Sequence, residues 1–285
     1  MFITINGQLG SGKSEICKIL KNEYGFDVFH TGKIQRQYAA ELGISTLELN
    51  ELCNKDHSYD TIIDTKLVEY AEQERGNNVV FDSRMAWHFV KDTFKVHVLV
   101  SPEVAANRVF YNRVDAAEKY ASKEDAMLGL INRRKVESDR YERIYNAKMC
   151  EYRNYDLVLD TTLTSIREEV KIILECAKNY FEKGEKAVIL APNNVYPTNL
   201  ELGEGIQVAK YDESIYILSG HELVKQAIKE GKKTINVNLV AADDDVIDGV
   251  ALKDLIASNV KNLSEWENET GMTFGFIPEF IKQNQ

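Results

Sequence analysis

Short apolar runs alternate with longer stretches of helical period through the first two thirds of the chain. The runs at 2–6, 27–29, 78–81, 95–100 and 157–160 read as strands. Between them, apolar positions recur at three- and four-residue spacing over 13–24, 33–42, 60–75, 102–113, 124–150 and 166–181, which predicts helices. Pro102 suits the first turn of its helix, with Ser101 as the cap. Alternation of this kind predicts an α/β fold in which a parallel five-stranded sheet carries helices on both faces.

The pattern breaks at Glu-Lys-Gly-Glu-Lys, residues 182–186, a polar stretch suited to a linker. Beyond it, apolar runs at 187–190, 206–210, 215–218 and 234–240, with helical patterns at 222–229 and 251–260, predict a small α+β domain. The expected division is therefore 1–183 and 187–285.

Composition fits two globular domains: 285 residues, 44% hydrophobic and 28% charged, with four prolines. The net charge of −10 is less informative than where the arginines fall, since all eleven precede Lys183. Arginine is the side chain best shaped to grip phosphate, so phosphate chemistry belongs to the first domain. An acidic, arginine-free second domain argues against nucleic acid as a partner. Cys17, Cys53, Cys150 and Cys176 stand far apart with no metal-ligand spacing and read as reduced thiols. No apolar stretch approaches the roughly 20 residues of a membrane span. The first residues do not have the pattern of a signal peptide, and a cytoplasmic protein is expected.

Gly7-Gln8-Leu9-Gly10-Ser11-Gly12-Lys13-Ser14 matches GxxxxGK[ST] between a predicted strand and a predicted helix, the context such a loop needs. Its glycines let backbone N–H groups curl around phosphates at a helix N-terminus. Gly7, Gly10, Ser11, Gly12, Lys13 and Ser14 are thus the expected ATP-binding residues. Lys13 is expected on the β- and γ-phosphates, and the Ser14 hydroxyl on Mg²⁺. The sheet is accordingly expected to be of the P-loop NTPase type.

Transfer between phosphates needs several fixed cations. Arg36 follows the second strand, Asp82 and Arg84 follow the third, and Arg108 and Arg113 lie near the helix at 102–113. Arg133, Glu137 and Arg140 share one helical face by their spacing. Asp82 is placed either to hold the hydration shell of Mg²⁺ or to orient an acceptor. For these arginines the competing reading is a surface ion pair or a salt-bridged solvated helix.

Four segments in order, 3–14 with the loop, His30-Thr31-Gly32 through Arg36, Asp82-Ser83-Arg84, and 133–141, resemble the cytidylate kinase family of nucleoside monophosphate kinases over residues 1 to about 175. The resemblance implies ATP- and Mg²⁺-dependent phosphoryl transfer to a nucleoside monophosphate, CMP or dCMP foremost. It implies that Arg36 and Arg84 help bind the monophosphate. It also implies that Arg133, Glu137 and Arg140 form a lid-helix face on the nucleotide, and that Arg108 and Arg113 lead into the lid. His30, Ser83 and Glu15 depart from the family pattern, as does a longer segment at 114–122. The departures at His30 and Ser83 keep another small-metabolite acceptor open, and a non-catalytic nucleotide sensor is the third reading. His30 reads as a polar neighbour of the site more than as a base, because a phosphate acceptor is already anionic. Residues 195–199, 215–222 and 234–240 are similar to the ParB and sulfiredoxin-like fold, where a strand runs into a Gly-His turn opening a helix. Here Glu222 and Leu223 stand where that fold's basic residue would be.

Overall fold

The computed structural model describes residues 1–285 except 46, 47, 50, 51, 54, 55, 57, 113–119 and 285. Its elements run β1 (Phe2–Gly7), α1 (Lys13–Tyr24), β2 (Asp27–His30), α2 (Thr31–Glu41), α3 (Ser58–Gln73), β3 (Val79–Asp82), α4 (Ala86–Phe89), β4 (Phe94–Leu99), α5 (Pro102–Asn112), α6 (Lys123–Tyr145), β5 (Leu157–Asp160) and α7 (Ile166–Lys183). There follow β6 (Ala187–Leu190), β7 (Tyr196–Pro197), β8 (Gln207–Tyr211), β9 (Ser214–Ser219), α8 (His221–Lys229), β10 (Ile235–Ala242), β11 (Val246–Ile247), β12 (Val250–Ala251), α9 (Leu252–Ala257), α10 (Leu263–Thr270) and α11 (Glu279–Asn284). The five expected strands of the first part are present. The long helix expected to reach residue 150 stops at Tyr145, where Asn146 turns left-handed at φ 51° and ends the helical ladder.

The chain divides into two compact units. One comprises 1–98, 133–157 and 166–186; the other comprises 99–132, 158–165 and 187–285.

In the first unit β1 is central. It pairs in parallel with β3, Ile5 opposite Asp82, and with β4, Gly7 opposite Val98. β2 adds beyond β3, His30 opposite Asp82. β5 begins beside β4, where Asp156 N donates to Lys95 O at 2.8 Å. Parallel strands bring their carboxyl ends to one edge, so Gly7, His30 and Asp82 arrive there together. Ile3, Ile5, Val79, Val80, Val96 and Val98 are all buried, as strands covered on both faces require. Helix α1 contributes Ile16, Cys17 and Leu20, one buried face at helical spacing.

In the second unit β10 pairs antiparallel with β6 and parallel with β8. β8 and β9 form a hairpin whose tip, Asp212-Glu213, has positive φ at both residues, as a tight two-residue turn needs. Gly220 joins β9 to α8 at φ 79°, and a Cβ there would meet Gly205 O at 2.4 Å. Only glycine fits that approach. His221 opens α8 as expected, but both its ring nitrogens are engaged: Nε2 accepts from Thr198 N at 3.3 Å, and Nδ1 faces Glu201 Oε1 at 3.0 Å. It is a packing residue here. Helices α10 and α11 escaped the sequence pattern, being short; α10 is capped by Asn262, whose Oδ1 accepts from Ser264 N, and it buries Trp266 completely.

The four cysteines are free thiols. Among the described residues no helix is long and apolar enough to cross a membrane.

Candidate active site

The loop after β1 has the conformation its spelling demands. Gly7 has φ 145° with Val98 O 2.2 Å from where a Cβ would lie, and Gly10 and Gly12 are left-handed at 79° and 91°. Asn6, buried at the end of β1, accepts from Gly7 N with Oδ1 at 2.7 Å and donates through Nδ2 to Tyr155 OH at 2.8 Å. This fixes where the loop departs. Ser11, also buried, donates to Gln8 O at 2.7 Å and closes the turn.

Lys13 Nζ reaches back to donate to Gly7 O at 2.8 Å and Gln8 O at 2.7 Å. Desolvation, reinforced by the nearby Arg84 charge, pushes its ammonium down to about 7. Ser14 is exposed in the first turn of α1.

Arg84 follows Asp82 at the end of β3. Its Nη1 donates to Gly7 O at 3.3 Å, and its Nη2 lies 3.1 Å from Glu137 Oε2 on α6. Glu137 Oε1 also accepts from Arg133 Nε at 3.0 Å. The geometry therefore gathers Lys13, Arg84, Glu137 and Arg133 along one connected path from the loop. Asp82 sits beside it and holds His30 Nδ1 at 3.1 Å, so the two strand-end residues in register form a pair.

The other expected residues lie differently. Arg36 is exposed on α2 and makes no hydrogen bond or ion pair among the described residues. Arg140 shares the face of Glu137 but turns to Asp60 on α3, with Nη2 at 2.5 Å from each carboxylate oxygen. Arg108 belongs to the second unit, where it donates to Thr161 O at 2.8 Å. Arg113 lies outside the described residues.

Sequence reasoning missed Asn6, Asp60, Asp64 and Tyr145. Asn6 had a visible signal, a lone amide closing an apolar strand directly before the loop. Asp60 and Asp64 had only their i, i+4 spacing on a helix, which reads equally as a solvated face. Among the described residues no group of three or more His, Cys, Asp or Glu is placed to hold a metal ion. A magnesium held mainly by phosphates and water asks less of the protein, and a single exposed hydroxyl such as Ser14 fits that demand.

Parallel sheet, glycine loop and helix start define a P-loop α/β protein. More narrowly, residues 2–163 match the model of the cytidylate kinase-like family, and the chain belongs to that family. Cytidylate kinases of Pyrobaculum islandicum and Saccharolobus islandicus are 27% and 28% identical to it, each over 61% of this chain and 90% and 89% of their own lengths. An S-adenosylmethionine-dependent nucleotide dehydratase of Lacinutrix mariniflava is 26% identical over 99% of this chain. The chain spans only 58% of that relative's length.

Proposed function

We propose that the chain transfers the terminal phosphoryl group of ATP to a nucleoside monophosphate, with CMP or dCMP as the foremost acceptor. The observation that carries this reading is the continuous path from the loop through Lys13, Arg84, Glu137 and Arg133, which sets three cations and one orienting carboxylate beside a phosphate cradle. In this reading the loop amides and Lys13 hold the β- and γ-phosphates. Arg84 and Arg133 offset the charge that builds as an acceptor phosphate oxygen bonds to the γ-phosphorus and the bond to the ADP oxygen breaks. Glu137 holds those guanidinium groups in place, and the exposed Arg36 is available to the acceptor phosphate. Ser14 and Asp82 are the residues that would hold Mg²⁺ and its water, and the ion would supply charge neutralisation at the phosphates. Arg140 is proposed to serve the nucleotide, for which it must first exchange Asp60.

Relatives over both the first part and nearly the whole chain carry names of nucleotide-acting enzymes, which favours a nucleotide over another small metabolite as acceptor. The test is incubation with ATP, Mg²⁺ and a panel of ribo- and deoxyribonucleoside monophosphates, followed by chromatography. ADP and a new diphosphate in equal amounts are expected, fastest with CMP or dCMP. ADP formation without any diphosphate would end the proposal.

A further inference from the structure

The wall formed by α3 and the 133–145 part of α6 extends past the groups that the transfer chemistry uses. Nearest the loop, Glu137 is matched by Arg84 and Arg133. Further along α6, Arg140 satisfies both oxygens of Asp60, which is 7% exposed. Eight residues beyond Glu137, about 12 Å along the helix axis, Tyr145 OH donates to Asp64 Oδ2. Asp64 stands one turn after Asp60 on α3, so the acids on α3 face the polar row on α6 in step. Unlike the other two carboxylates of the wall, Asp64 has no cation within ion-pair distance among the described residues, and Oδ1 accepts no hydrogen bond. Aromatic rings back its partner: Phe89 meets Tyr145 edge-on at 5.2 Å, and Tyr141 lies nearly parallel to it at 6.2 Å.

A half-buried carboxylate with one neutral donor and no cation in ion-pair contact, Arg140 acting on it only from a distance, is costly to keep. Desolvation is the main reason its proton affinity is raised, to about 6, with Asp60 nearby adding to the effect. Such a group, at the end of a wall that starts at the phosphate loop, is matched by a ligand that brings an N–H donor. Arg140 Nε, buried in the same wall, has no acceptor within hydrogen-bond distance among the described residues and leaves a donor there as well. Pyrimidine rings share a carbonyl at position 2, which a donor cannot tell apart. They differ at position 4, where cytosine presents an amino donor and uracil or thymine a carbonyl acceptor.

We propose that Asp64, fixed by Tyr145, accepts a hydrogen bond from the exocyclic amino group of the acceptor base and thereby selects an amino-bearing pyrimidine over a keto one. This rests on the kinase reading and assigns its base preference to a named residue. A carboxylate oxygen against a carbonyl is repulsive, and a site built for a donor discriminates strongly against the analogue without it.

The experiment compares kcat/KM for CMP and UMP in the full-length wild type, Asp64→Asn and Tyr145→Phe, each checked for an unchanged circular dichroism spectrum. Wild type is expected to prefer CMP. Asparagine can turn its amide N–H toward a carbonyl, so Asp64→Asn should lower the CMP:UMP ratio by about 10–100-fold. Tyr145→Phe keeps the carboxylate but frees it, and should lower the ratio by less. A ratio in Asp64→Asn within about twofold of wild type overturns the assignment. If wild type turns over no monophosphate, the kinase reading fails by itself, and calorimetric Kd values for CMP and UMP in wild type and Asp64→Asn then decide the base preference without turnover.

Discussion

Lys13 Nζ lies 2.8 Å from the carbonyl oxygen of Gly7, six residues back along the loop that it closes. Two backbone carbonyls are modest partners for an ammonium group, and charged phosphate oxygens are much stronger ones. The side chain is thus already folded over the space its loop encloses. Lys13→Ala is expected to leave the circular dichroism spectrum unchanged while phosphoryl transfer falls by at least about 10²–10³-fold. Rates within a few-fold of wild type would detach the loop from the chemistry.

The lowered proton affinity of Lys13 has a consequence for stability. With the folded group near 7 and the ordinary value at 10.5, the unfolded chain binds more protons between those limits, so this group makes stability rise with pH across that window. Below about pH 7 both states are protonated and the desolvation cost stands in full. Lys13→Met should therefore melt above wild type at about pH 6.5, with the gap closing toward about pH 10. Thermal melts at the two pH values check this, and a pH-independent gap would contradict it.

Arg84 is asked to serve the loop and Glu137 at once, through two nitrogens of one planar fork. A lysine offers charge at one point only. Arg84→Lys should consequently cost most of what Arg84→Ala costs, about 10²-fold or more in kcat/KM for the monophosphate. Full activity in the lysine variant would show that charge alone suffices.

The strands and the loop were legible because their signals are local: period, glycine spacing and the order strand, loop, helix. Lys13, Asp82 and Arg84 could be nominated from position on those elements, whereas Glu137 needed the family resemblance besides its helical spacing. The division of labour among the arginines was hidden, because it depends on which acid each one meets across the fold. Arg133 and Arg140 sit on one helix face, yet Glu137 holds the first and Asp60, 80 residues away in sequence, holds the second. The short helices of the second unit were hidden for another reason. Six to eight residues give too few periods to recognise, and burial of Trp266 stabilises what propensity does not announce.

Gly220→Ala tests the second unit. Its φ of 79° is a conformation side chains disfavour, and the added methyl would press on Gly205 O at 2.4 Å, backbone that cannot swing aside. A loss of roughly 1–3 kcal/mol in urea unfolding is expected. Gly231→Ala, also left-handed at φ 66° but with open space around it, should lose less. Equal losses would mean that dihedral strain alone, and not the close approach, makes residue 220 glycine.

Asp64 offers a stability test independent of any substrate. Its folded value near 6 lies above the ordinary 3.8, so the folded chain binds more protons in between, and this group makes stability fall as pH rises from about 4 to about 6. Asparagine keeps the hydrogen bond from Tyr145 and removes the charge. Asp64→Asn should therefore melt above wild type at about pH 7.5 and lose that advantage at about pH 4, where the wild-type carboxyl is protonated when folded. Tyr145→Phe should act oppositely at about pH 7.5, since it withdraws the neutral donor from an ionised, half-buried carboxylate. Melting curves for the three proteins at both pH values would reveal the crossover, and parallel curves would mean that Asp64 is as well solvated as an ordinary surface acid.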